Sequence, residues 1–71
     1  SNIDKYLDCT VEWFQDWIFY CINENGWTDM NMDNYGILWH LDHVVPCALW
    51  DLDNDDHKTH CFHWSNIVPV R

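Results

Sequence analysis

Asp42 and His43 stand side by side, three residues ahead of Pro46, in the segment HLDHVVP. A carboxylate is a hard oxygen ligand for a divalent cation, and an imidazole exchanges a proton near neutral pH. Neighbouring strand residues face opposite ways unless the backbone bends, and strand ends are where it bends. A pair placed there can divide two tasks, metal ligation by Asp42 and general-base work by His43. Without further context the same pair reads as a surface charge pair. His40, two residues before Asp42, falls on the face of Asp42 and reads as a hydrogen-bonded strand residue or as a group that orients the carboxylate.

A second cluster is His57, His60, Cys61 and His63. On a helix, His57 shares a face with His60 or Cys61, which could form a zinc ligand pair with Cys47 or His40 reaching across. The spacing fits no named zinc site, so the expected role is a polar helix with Cys61 and Phe62 turned to the core, and zinc is not expected. Protonation of these histidines below about pH 6.5 would add positive charge. Cys9, Cys21, Cys47 and Cys61 allow three disulfide pairings, and none belongs to a CxxC pair. The first eight residues, SNIDKYLD, have neither a basic nor an apolar stretch of the kind that opens a secretory signal. Reduced thiols in an intracellular, reducing compartment are therefore the expectation. The run DMNMDN alternates acids and amides like the start of a calcium loop. It lacks the Gly at the sixth position and the Glu at the twelfth, so no calcium site is expected.

The elements that must position these residues follow from periodicity. Residues 1–8 read as a lead-in. Thr10 is an N-cap candidate with Glu12 in the first turn, and Val11, Phe14, Trp17, Ile18, Cys21 and Ile22 recur at helical spacing. This predicts a helix over Val11 to Asn23, ended by Asn25-Gly26, with its apolar stripe in the core. Trp27 to Gly36 reads as a polar loop. Ile37 to Val45 is a strand candidate stopped by Pro46. Asp53 can cap a short helix over Asn54 to Phe62, and Ile67 to Val70 is an edge strand because it contains Pro69. Trp39, Trp50 and Trp64 are expected mostly in the core.

The chain has 71 residues, 48% of them hydrophobic, with six Trp, three Tyr and three Phe. That is enough for one small core and excludes a disordered acidic tail. No apolar run approaches the ~20 residues of a membrane span, so no membrane association is expected. Three basic residues against twelve acidic ones leave a formal charge of −9. Such a balance repels phosphate backbones, so nucleic-acid binding would need positive charge from elsewhere.

The segments WHLDHVVPCALWDL and HCFHWSNIVPV together resemble the HNH endonucleases of phages and large DNA viruses. The resemblance extends upstream through MDNYGILW and the Cys-Thr helix start, covering residues 9 to 70. It implies an α+β fold, a small HNH-like ββα-metal core with an N-terminal helix, in one domain over residues 9–71 after a lead-in over 1–8. By this resemblance His43 is the general base that activates a water, and Asp42 ligates a single divalent ion, Mg²⁺ or Mn²⁺. Asn66 is the central Asn that hydrogen-bonds across the hairpin and holds the His-bearing loop. The third signature residue, a His or Asn, belongs on a helix after the second strand, and the sequence to Arg71 does not include it. The final helix is therefore expected to be missing from this domain. The implied reaction is phosphodiester hydrolysis in DNA leaving 5′-phosphate and 3′-hydroxyl ends, in the host cell or virion of a large DNA virus or phage. A protein partner could supply the missing basic surface. The alternative is a catalytically inactive HNH-like structural or assembly module, such as one in a viral particle.

Overall fold

Thr10 starts the main helix as its type and position predict. Its side chain accepts a hydrogen bond from the Trp13 backbone N–H at 3.0 Å, satisfying one of the donors a helix start leaves open. The end is equally local in origin. Trp27 N–H bonds to the Ile22 carbonyl at 3.1 Å and Gly26 N–H to the Asn23 carbonyl at 3.0 Å, the paired bonds of a Schellman stop. Gly26 takes the left-handed φ of 69° that this stop requires.

The structure is a computed structural model describing residues 2–71, with side chains from Lys5 onward. The elements run α1 (Asn2–Leu7), α2 (Val11–Glu24), β1 (His40–His43), α3 (Asp55–Phe62) and β2 (Ile67–Val70), with short 3-10 turns at Met32–Asn34, Cys47–Leu49 and Trp64–Asn66. The two strands pair antiparallel, with His40 opposite Val70, Leu41 opposite Pro69, Asp42 opposite Val68 and His43 opposite Ile67. Helices beside one two-stranded antiparallel sheet make this an α+β fold.

Boundaries differ from the sequence expectation at α1, at the cap of α3 and at both ends of β1, which stops at His43 rather than at Val45 before Pro46. The expected lead-in contains α1, which lies against α3: Tyr6 packs on Phe62 with ring centroids 6.4 Å apart and donates its hydroxyl to Asp55 Oδ1 at 3.1 Å. The first strand begins at His40 rather than Ile37, because the preceding backbone turns back on the loop. Ile37 and Leu38 N–H groups bond to the Asn34 carbonyl, Gly36 N–H bonds to the Trp39 carbonyl, and Ile37 is left 88% exposed. The cap of α3 is Asn54 rather than Asp53, its Oδ1 accepting from the N–H groups of Asp56 and His57.

Ile18 and Ile22 on α2 close over Met30 and Trp39 to form the core, with Phe14, Trp17, Trp27, Leu38 and Leu41 packed around it. The stripe of α2 is thus core, as expected, except Val11, which is exposed, and Cys21, which is half-buried outside the cluster. Burying Trp39 requires a partner for its indole N–H. The polar loop supplies two, the Asn31 carbonyl at 2.7 Å and Asn34 Oδ1 at 2.9 Å. Asn31 and Asn34 cap each other's backbone in that loop, so the alternating amides of DMNMDN serve a turn. Trp17 donates to the Ile67 carbonyl at 2.7 Å and meets Trp64 edge-on at 5.1 Å, which fixes α2 against β2.

Candidate functional site

The alternation of β1 decides where the two central residues point. His40 and Asp42 lie on the exposed face, and Leu41 and His43 on the inward face. Asp42 Oδ1 accepts the His43 backbone N–H at 2.8 Å, which fixes the carboxylate at the surface. The His43 ring meets Phe62 of α3 edge-on, with centroids 5.7 Å apart. Its Nε2 is buried and has no hydrogen-bond partner. An unsatisfied buried polar atom of this kind costs about 1–3 kcal/mol and calls for a functional account. Asp42 and His43 are thus neighbours in sequence whose side chains the strand separates.

Asn66, the last residue of the 3-10 turn just before β2, is buried, with 9% of its surface exposed. Its Oδ1 accepts from the Val45 N–H at 2.8 Å, while its Nδ2 donates to the Cys61 carbonyl at 3.0 Å and the Val45 carbonyl at 3.2 Å. Its own carbonyl accepts from Val44 N–H at 2.8 Å. One side chain therefore ties together the end of α3, the start of β2 and the chain leaving His43. Of the three expected site residues, the structure joins His43 and Asn66 through the backbone of residues 44–45 and leaves Asp42 on the other face.

The thiol expectation is corrected. Cys47 and Cys61 form a disulfide, with Cα atoms 5.8 Å apart, within the usual range for such bridges. The pairing depends on a loop that folds back through Asn66, which no local pattern reveals. One ligand atom each from His43, Cys47 and Cys61 lie within 4.8 Å of one another, with His43 and Cys47 half-buried and Cys61 buried. The sequence reading considers Cys61 with Cys47 reaching across but pairs them with His57 rather than His43, for which the three-residue gap between His43 and Cys47 is the one local signal.

The other histidines are engaged separately, so the zinc arrangement considered for α3 does not assemble. His57 Nδ1 accepts the Asp51 N–H at 3.0 Å, and its ring meets Trp50 edge-on at 5.7 Å. His60 stacks on Trp50 at 5.8 Å and sits 2.7 Å from the Asp56 carbonyl. His63 bonds Ser65 Oγ at 2.8 Å and approaches Asp8 at 3.5 Å. Trp50 and Trp64 are half-buried, so only Trp39 of the three expected core indoles is fully enclosed. Elsewhere, the Arg71 guanidinium hydrogen-bonded to Asp29 holds that carboxyl below the usual carboxylate range. Burial pushes the Cys21 thiol up. A shallow apolar groove between α2 and residues 32–41, lined by Phe14, Phe19, Met32 and Tyr35 among others, includes none of Asp42, His43 or Asn66.

Among the described residues, no helix is long and apolar enough to cross a membrane. No family description matches the chain, and no solved structure does. The chain is 36% identical over 70 residues to an uncharacterized protein of Acanthamoeba polyphaga mimivirus, and 34% identical over 66 residues to a second one from the same virus. The alignments take in 99% and 93% of this chain but 29% and 27% of those proteins. The chain therefore spans less than a third of the length of the curated relatives it matches, and those relatives belong to a large DNA virus.

Proposed function

We propose that this chain is the core of a metal-dependent endonuclease of the HNH type that hydrolyses phosphodiester bonds in DNA. The observation that supports it best is the clamp made by Asn66. The HNH resemblance expects an Asn at this position to bond across the hairpin and hold the loop that carries the base. Asn66 makes three side-chain bonds to Val45 and Cys61, two residues past His43 and at the end of α3. Asp42 would hold Mg²⁺ or Mn²⁺, since a surface carboxylate suits a hard cation that keeps most of its waters. When bound, that ion supplies Lewis-acid stabilisation to the phosphate and the leaving oxygen. For His43 to accept the proton of the attacking water its ring must leave Phe62 and turn towards the face of Asp42, while Asn66 holds the loop that carries it. Base work needs a water within roughly 2.6–3.2 Å of a ring nitrogen, so the inward-facing ring sets the demanding step.

A protein partner that supplies basic surface is part of the proposal, because −9 on the chain opposes DNA binding. The site of action is the infected cell or the virion of a large DNA virus. A second reading, a non-catalytic HNH-like structural or assembly module, is favoured by one observation: His43 Nε2 is buried away from solvent. A supercoiled-plasmid nicking assay at low salt with Mg²⁺ or Mn²⁺ separates the two. The nuclease reading expects nicking that disappears in His43→Ala and in Asp42→Ala while both variants stay folded. Nicking retained in both variants would refute it, and nicking absent from the parent chain favours the module.

A further inference from the structure

The Cys47–Cys61 bridge lies beside the His43 ring, whose Nε2 is buried and bonds to nothing. Two sulfurs and a histidine nitrogen drawn within 4.8 Å are the donor set of a thiophilic cation. We infer that reduction of the Cys47–Cys61 disulfide opens a three-ligand site, His43, Cys47 and Cys61, for a divalent cation of the zinc class. A tetrahedral ion with Zn–S near 2.3 Å and Zn–N near 2.0–2.1 Å spaces its ligands roughly 3.5–3.8 Å apart. Those spacings fit inside the 4.8 Å envelope once the sulfurs separate.

The framework around the three donors is already tied together. Val45, between His43 and Cys47, and the carbonyl of Cys61 are held by the same Asn66 side chain. The His43 ring packs on Phe62, next to Cys61. The ligand-bearing segments therefore keep their places when the sulfur–sulfur bond opens, and little ordering remains for the ion to impose. Half-buried Cys47 offers the sulfur that an external thiolate attacks, whereas Cys61 is fully enclosed.

The chemistry balances as two steps. A dithiol reductant attacks Cys47 Sγ, the Cys47–Cys61 bond breaks, and the reductant closes to its own disulfide. Two electrons and two protons pass to the cysteines, leaving Cys47–SH and Cys61–SH. The cation then binds both sulfurs as thiolates and one His43 nitrogen, two protons leave to solvent, and water fills the fourth position. The site stands whether or not the chain is a nuclease. An ion held there occupies the ring of His43, so a loaded chain cannot use that ring as a base.

The test is Co²⁺ titration followed by Zn²⁺ competition, on chain reduced with dithiothreitol and freed of excess reductant under anaerobic conditions, beside the oxidised chain. The reduced chain is expected to take up about one ion and to show thiolate-to-cobalt charge-transfer absorption. The oxidised chain shows none. His43→Ala, which keeps both cysteines and their bridge, weakens Zn²⁺ binding about tenfold or more. His57→Gln and Cys21→Ser leave it unchanged. Equal binding by oxidised and reduced chain, no charge-transfer band in the reduced chain, or full affinity in His43→Ala would each overturn the site.

Discussion

Replacing Asn66 with Ala should destabilise the domain by about 3 kcal/mol. The side chain makes three hydrogen bonds in a buried setting, to Val45 N–H, Val45 C=O and Cys61 C=O. Each is worth about 1 kcal/mol net, and leaving the Val45 donor without its partner adds to the loss. A domain of this length has roughly 4–11 kcal/mol of total stability, so the change removes a large fraction of it. The melting temperature should fall by about 12–24 °C, taking 4–8 °C per kcal/mol for a small domain. Urea denaturation followed by tryptophan fluorescence measures the loss directly. Asn66→Asp is the sharper variant, because it preserves size and the acceptor for Val45 N–H. It removes both donors and sets a carboxylate against the Val45 and Cys61 carbonyls, so it should cost at least as much as Ala near pH 7. Native-state hydrogen exchange adds a local readout, since the Val45 amide should lose protection in Asn66→Ala and keep it in Asn66→Asp. A loss under about 1 kcal/mol in both variants would refute the clamp and the argument that it organises the site.

Further outcomes follow from other parts of the fold. Trp39→Ala should cost about 3–5 kcal/mol in denaturant unfolding, because the ring is 2% exposed and its indole N–H has two loop acceptors. Trp17→Phe keeps most of the packing on Trp64 but loses the bond to the Ile67 carbonyl, and should cost about 1 kcal/mol by the same measurement. Reducing the Cys47–Cys61 bridge, with its sequence separation of 14, should lower stability by about 3 kcal/mol when a chelator excludes metal. Added Zn²⁺ should restore part of that loss, as a rise in melting temperature. Asp29 has its folded carboxyl held low by Arg71, so the stability this pair contributes is present above the unfolded carboxylate pKa and is lost as pH falls through the folded value. Carboxyl titration by NMR should show Asp29 moving up towards the ordinary range in Arg71→Gln.

The sequence by itself determined the parts whose causes are local. Helix α2 was legible at both ends, because a Thr cap, a 3-and-4 apolar spacing and an Asn-Gly stop each act within a few residues. The second strand was legible for the same reason, whereas the α+β class came with the HNH resemblance. The role of Asn66 came from a resemblance, since an Asn after a Ser in an aromatic stretch carries no local sign of spanning a hairpin. Tertiary structure alone decided what depends on distant partners. The short β1 reflects competition from Asn34, whose carbonyl takes the backbone N–H groups of Ile37 and Leu38. The outward Asp42 and inward His43 follow from the sheet's period of two once β1 pairs with β2 in this register. The choice of Cys47–Cys61 among three pairings, and its position beside His43, required the return of the chain through Asn66 to bring residues 14 apart into reach. Short-range spacing specifies which element forms; only the packed chain specifies which faces and which side chains meet.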